Sequence, residues 1–239
     1  MTHVTNVLLT SSGATTRLWL RPILALLGVI LAAQAVWTLI PEYHRPDRYL
    51  IPGSQTNVSL THTDRERAYK VAAIEALRGD LWAEAAFADV GRNWKESSLA
   101  ADGGKSSERI RMAIMRALRF SPHRGDIWLL FAAMVERYQW PGYQPDALLK
   151  MSYYTAPNET SLFPLRLNLA LKVSGSVVDD ELRDLMRRDI QIILTHSTML
   201  KPALTNAYRS ASTEGRAFLE RVVMEINPNA ISAMRAPLN

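Results

Sequence analysis

The chain contains no cysteine. That absence removes disulfide scaffolds, thiolate zinc sites, iron–sulfur clusters and cysteine nucleophiles together. Glycine and proline are sparse, 11 and 12 in 239 residues, which excludes collagen-like and Gly/Pro low-complexity architecture. The five histidines, His3, His44, His62, His123 and His196, form no His–His pair at metal-ligand spacing. No alternating apolar–polar stretch has the length of a convincing strand. What is present is 48% hydrophobic and 21% charged residues, a balance that folds rather than stays disordered. The length fits one medium domain plus an appendage. A net charge of +5 permits contact with anionic lipid or polymer without requiring it.

The strongest local feature is residues 22–40, PILALLGVILAAQAVWTLI, uncharged and with Gln34 as its one strongly polar side chain. A helix rises about 1.5 Å per residue, so this run spans a hydrocarbon core of roughly 30 Å. Arg17 and Arg21 precede it, and Trp19 and Trp37 lie near its ends, where interfacial aromatics sit. The expected organisation is an N-terminal tail at residues 1–16 and a transmembrane signal anchor at 17–40. A Pro-rich linker follows at 41–62, with Pro41, Pro46, Pro52 and Gly53. Cleavage after the small-x-small triplet Ala33-Gln34-Ala35 is the rival reading. The apolar run continues to Ile40, which favours the uncleaved anchor. A short basic N-terminus before a large C-terminal region predicts a bacterial inner-membrane protein that crosses once, its C-terminal domain periplasmic.

Residues 63–239 follow a helical period. Helices are expected over 64–77, 81–90, 108–120, 126–139, 146–154, 159–173, 179–196, 202–211 and 213–226, with a loop over 93–107. Thr63 and Asp126 are the expected N-caps of their helices. The fold class is all-α, built from antiparallel helix pairs with short connections.

A period is visible within this region. Pro122 and Pro157 are 35 residues apart, and the same offset aligns Trp128 with Phe163, Leu130 with Leu165 and Ala113 with Leu148. Ala117-Leu118-Arg119-Phe120-Ser121-Pro122 closes one helix, and Trp128, Phe131 and Ala132 begin the next. Ala76-Leu77 followed by Asp80-Leu81-Trp82 repeats that juncture without the proline. In length and residues the pattern resembles the tetratricopeptide repeat. The resemblance implies an α-solenoid of helical hairpins after the transmembrane helix, with Trp128 buried between pairs. The long stretch over 93–107 and Val135 in place of the first-helix Tyr depart from the repeat pattern.

The chemistry-bearing candidates are few. Gly103-Gly104-Lys105-Ser106 lacks the earlier glycine of a phosphate loop, since position 99 is Leu. The triplet Asp179-Asp180-Glu181 opens a helix, where negative charge is favoured by the dipole. No catalytic residue, metal site or cofactor is expected, and the chain is not expected to be an enzyme. Candidate partner-binding residues are Arg109, Arg116 and Arg119, which crowd one helix, and Tyr153 and Tyr154 beside the Pro157 turn. Arg183, Arg187 and Arg188 crowd another helix, where Asp184 stands at ion-pair spacing from Arg188. The expected partners are the lipid bilayer, other envelope proteins and an anionic polysaccharide; nucleic acid is not expected. The stretch SYYTAPNE over residues 152–159, with Leu165-Arg166-Leu167 after it, resembles repeat proteins of bacterial surface-polysaccharide synthesis and export. The resemblance implies a membrane-anchored scaffold module. The alternatives are a small accessory subunit of a membrane complex and an enzyme acting on envelope polymers.

Overall fold

The computed structural model describes residues 12–44, 62–93, 104–173, 180–196 and 200–235, and all regular structure among them is helical. The chain divides into two units, Met1–Arg45 and Pro46–Asn239.

Among the described residues the first unit holds one helix, α1 (Ser12–His44). Its stretch Leu20–Leu39 has a mean hydropathy of 2.0, is wholly exposed, and is long and apolar enough to cross a membrane. The helix starts inside the expected tail and continues past residue 40 through Pro41. Proline deletes one backbone donor there, a small loss where a helix end already leaves carbonyls unpaired. Residues 45–61 of the expected linker lie outside the described residues.

The second unit holds α2 (His62–Ile74), α3 (Gly79–Asn93), α4 (Lys105–Phe120), α5 (Gly125–Tyr138) and α6 (Pro145–Thr155). A short 3-10 turn, Thr160–Leu162, leads into α7 (Phe163–Val173). Then come α8 (Asp180–His196), α9 (Lys201–Ser210), α10 (Thr213–Ile226) and α11 (Ala230–Arg235). Helix α2 begins one residue before Thr63, so Thr63 is not its N-cap. The expected loop over 93–107 is shorter: α4 begins at Lys105, directly after Gly104, whose φ of 82° suits glycine. The six-residue α11 is too short for a periodic signal.

Helix α4 shows why such segments fold. Ile110, Ala113, Ile114, Ala117 and Leu118 recur at three- and four-residue spacing, form one face and are all buried. Helix α5 is different: residues 129–135 are buried without interruption, because α4, α6 and α7 all pack against it. The loop after α5 is closed by aromatics. Phe131 meets the Tyr143 ring at 4.9 Å and the Trp140 ring at 6.1 Å, and Tyr138 stacks on Trp140 at 5.4 Å.

Two hairpins, α3–α4 and α5–α6, share one construction. Each opens on Arg-Gly-Asp-x-Trp: Arg78-Gly79-Asp80-Leu81-Trp82 and Arg124-Gly125-Asp126-Ile127-Trp128. In each, the Arg forks onto the Asp two residues on. In each, the Trp indole N–H donates to a carbonyl six residues back, Ala76 at 2.9 Å and Pro122 at 2.7 Å. Each Gly lies under the end of the partner helix. A Cβ on Gly79 would fall 2.8 Å from the Ala117 carbonyl oxygen, and one on Gly125 would fall 2.5 Å from Ala156 Cβ. The first helices are therefore antiparallel to the second, and close approach requires glycine at both starts. The equivalent glycines are 46 residues apart, whereas Ser121 and Ala156 keep the 35-residue offset. The difference is the longer α3–α4 connection.

The two tryptophans differ in cover. Trp82 is buried beneath Tyr69 of α2 and the Arg116 guanidinium, 4.4 Å from its ring. Trp128, expected between helix pairs, is only partly buried and packs at the edge of the core. Phe131 and Ala132 hold the buried positions instead.

Candidate functional site

The structure separates the expected partner-binding residues. Arg109 grips the fully buried Asp89 with Nε and Nη2, both at 2.8 Å, and reaches Glu66 with Nη1 at 3.2 Å. Its guanidinium also lies 5.1 Å from the Tyr69 ring centre. These contacts tie α2, α3 and α4 together, so Arg109 is a packing residue. Arg116 and Arg119 are exposed, and each stacks on an aromatic ring, Trp82 and Phe120 respectively. Tyr154 is exposed and donates its hydroxyl to Glu181.

Tyr153 is buried, which removes it from any partner-facing role. It belongs to an internal polar node formed by α6, α7 and α8. Arg166 of α7 is completely buried and lies 4.7 Å from the Tyr153 ring centre. Its Nε donates to Ser152 Oγ at 3.1 Å, and its Nη2 to the carbonyls of Ser152 and Ala156. The end of α6 thus has carbonyls satisfied by a cation, as its orphan groups and dipole favour. Arg166 Nη1, Tyr153 Oη and Asp189 Oδ2 are buried and make no hydrogen bond among the described residues. Burial pushes the Asp189 carboxyl up to about 7, opposed by Arg166, the Tyr153 hydroxyl and Arg188. Burial also lowers Arg166, while Asp189, Tyr153 and Glu159 act the other way. Burial, followed by the Asp189 charge, raises Tyr153 well above the usual phenol range. Ser152, Tyr153 and Arg166, part of the stretch that carried the polysaccharide resemblance, are therefore engaged in packing.

An open groove of about 580 Å³ lies between α8 and α10. Helix α8 contributes Asp180, Arg183, Asp184, Met186 and Arg187; α10 contributes Glu214, Ala217, Phe218 and Arg221. Arg183 pairs with Asp180 at 2.8 Å, and Arg187 pairs with Glu225. Arg188 turns away to Asn158 Oδ1 at 3.2 Å, not to Asp184. The side chains of Asp184, Glu214 and Arg221 make no ion pair or hydrogen bond among the described residues. The groove therefore offers both signs of charge around buried Met186 and half-buried Phe218. Sequence reasoning marked the α8 arginines but missed Phe218 and Arg221, which only the α8–α10 packing brings beside them. Among the described residues, no group of three or more His, Asp or Glu gathers in a metal-binding arrangement.

Comparison with protein-family models, with curated proteins and with solved structures finds no match. The tetratricopeptide resemblance therefore rests on the sequence pattern alone.

Proposed function

We propose that this chain is a membrane-anchored scaffold, in which α1 holds the chain in the bacterial inner membrane. The helical domain then binds segments of other envelope proteins on the periplasmic side. The observation that carries the reading is the α8–α10 groove. Its unpaired Asp184, Glu214 and Arg221 stand around half-buried Phe218 in a mainly polar groove, a combination that suits an extended polypeptide bearing charges of both signs. Stacked helical hairpins present such grooves on a rigid frame. The assembly class, surface-polysaccharide synthesis or export, is supported only by the sequence resemblance at residues 152–159 with Leu165-Arg166-Leu167.

The test is recovery of partners with the full chain in mild detergent. Stoichiometric envelope proteins are expected, and the double reversal Asp184→Lys, Arg221→Glu should release them while the domain stays folded. Retention of the same partners by residues 1–61 alone would assign the chain instead to an accessory role inside a membrane complex.

A further inference from the structure

We propose that the outer face of α2 and α4 rests on an anionic lipid bilayer, laying the helical domain against the membrane. The proposal rests on the anchor reading of α1.

Both helices turn a buried side to α3 and carry a second stripe on the opposite side. On α2, Ala68, Val71 and Ala72 are buried, while Arg67 and Lys70 are exposed. Leu77, in the turn that follows, is 77% exposed. On α4, Met112, Met115, Arg116 and Arg119 recur at three- and four-residue spacing opposite the buried face, and the two methionines are 43% and 42% exposed. Arg109 of α4 joins Glu66 and Tyr69 of α2, so the two stripes belong to one surface.

Arg67, Lys70, Arg116 and Arg119 have no carboxylate partner among the described residues. Exposed Leu77, Met112 and Met115 thus share one face with cations that no acid neutralises, the mixed composition of an interfacial surface. An anionic bilayer accommodates both: Arg67 and Lys70 meet lipid phosphates, Arg116 and Arg119 add positive charge from where they stack on Trp82 and Phe120, and the apolar tips enter the headgroup–acyl boundary. Position favours the bilayer over an acidic protein. Residues 45–61 are all that separate α1 from α2, a span of at most about 60 Å even fully extended. A tether of that length keeps the domain, joined through α2, within reach of the bilayer at high effective concentration.

The absence of native cysteine permits a single reporter. The substitutions Leu77→Cys, Met112→Cys and Met224→Cys each place one environment-sensitive fluorophore; Met224 is 57% exposed on α10. The full chain is reconstituted in phosphatidylcholine vesicles, with or without phosphatidylglycerol, and quenched by spin-labelled lipid. Labels at Leu77 and Met112 should be quenched when phosphatidylglycerol is present and far less without it, while the Met224 label stays water-like in both. Each cation adds about fivefold to partition onto an anionic surface, so Arg67→Gln with Lys70→Gln should weaken it roughly 25-fold. The α4 pair, Arg116→Gln with Arg119→Gln, should act alike; near-ultraviolet circular dichroism checks the fold of each. Water-like labels at Leu77 and Met112 in the anionic vesicles overturn the proposal, including the case where only an acidic protein shields them. Equal quenching at Met224 overturns it too. Alkaline carbonate extraction tests the anchor separately: a released chain refutes the anchor, while the labels still decide the face.

Discussion

Helices α1 and α5 are both strongly apolar, yet they have opposite surroundings. In α1, Leu20–Leu39 is exposed along its whole length. In α5, residues 129–135 are buried without a break, because three other helices cover them. Apolar composition says only that a helix avoids water. Length separates the two: α1 is long enough to cross a bilayer, whereas the 14-residue α5 is not.

The largest expected effect sharpens this contrast. Phe131→Ala removes a ring buried against Trp140 and Tyr143 and should cost about 3–5 kcal/mol in urea unfolding of the full chain in detergent. Leu27→Ala in α1, at a side chain that is 50% exposed, should leave the same transition unchanged. A comparable loss from both substitutions would erase the distinction.

Next is the buried node. Asp189 titrates near 4 when unfolded and about 7 when folded. The folded state therefore holds an extra proton between those values, and stability falls as pH rises from about 4 to about 7, then levels off. The drop is at most about 4 kcal/mol, at roughly 1.4 kcal/mol per pKa unit. Arg166, Tyr153, Glu159 and Arg188 surround the titration, and Asp189→Asn should flatten the pH profile of unfolding. An unchanged slope in that variant would assign the dependence to other groups.

The smallest effects compare two arginines on one helix. Arg109→Ala removes a two-pronged cationic partner from the buried Asp89 carboxylate and should cost about 2–4 kcal/mol. Arg119→Ala, on the exposed side, should change stability by less than about 0.5 kcal/mol. Thermal unfolding of the two variants side by side measures the difference, and equal losses would contradict the separation of packing and surface cations.

Local pattern accounts for what was legible in the sequence. The uncharged apolar run of α1 and the three- and four-residue spacing of α4 are properties of adjacent residues, and they determine helix and face without a partner. The 35-residue offset of the second helices was equally visible, because no insertion separates Ala117 and Ser121 from their equivalents. Tertiary packing decided the rest. It buried Tyr153 under Arg166, engaged Arg109 with Asp89, left Trp128 at the core edge while covering Trp82, and brought Phe218 and Arg221 beside the α8 arginines. Helical periodicity assigns a side chain to a face, but its exposure and charge partners depend on which other helix arrives there, and those helices lie tens of residues away in the chain.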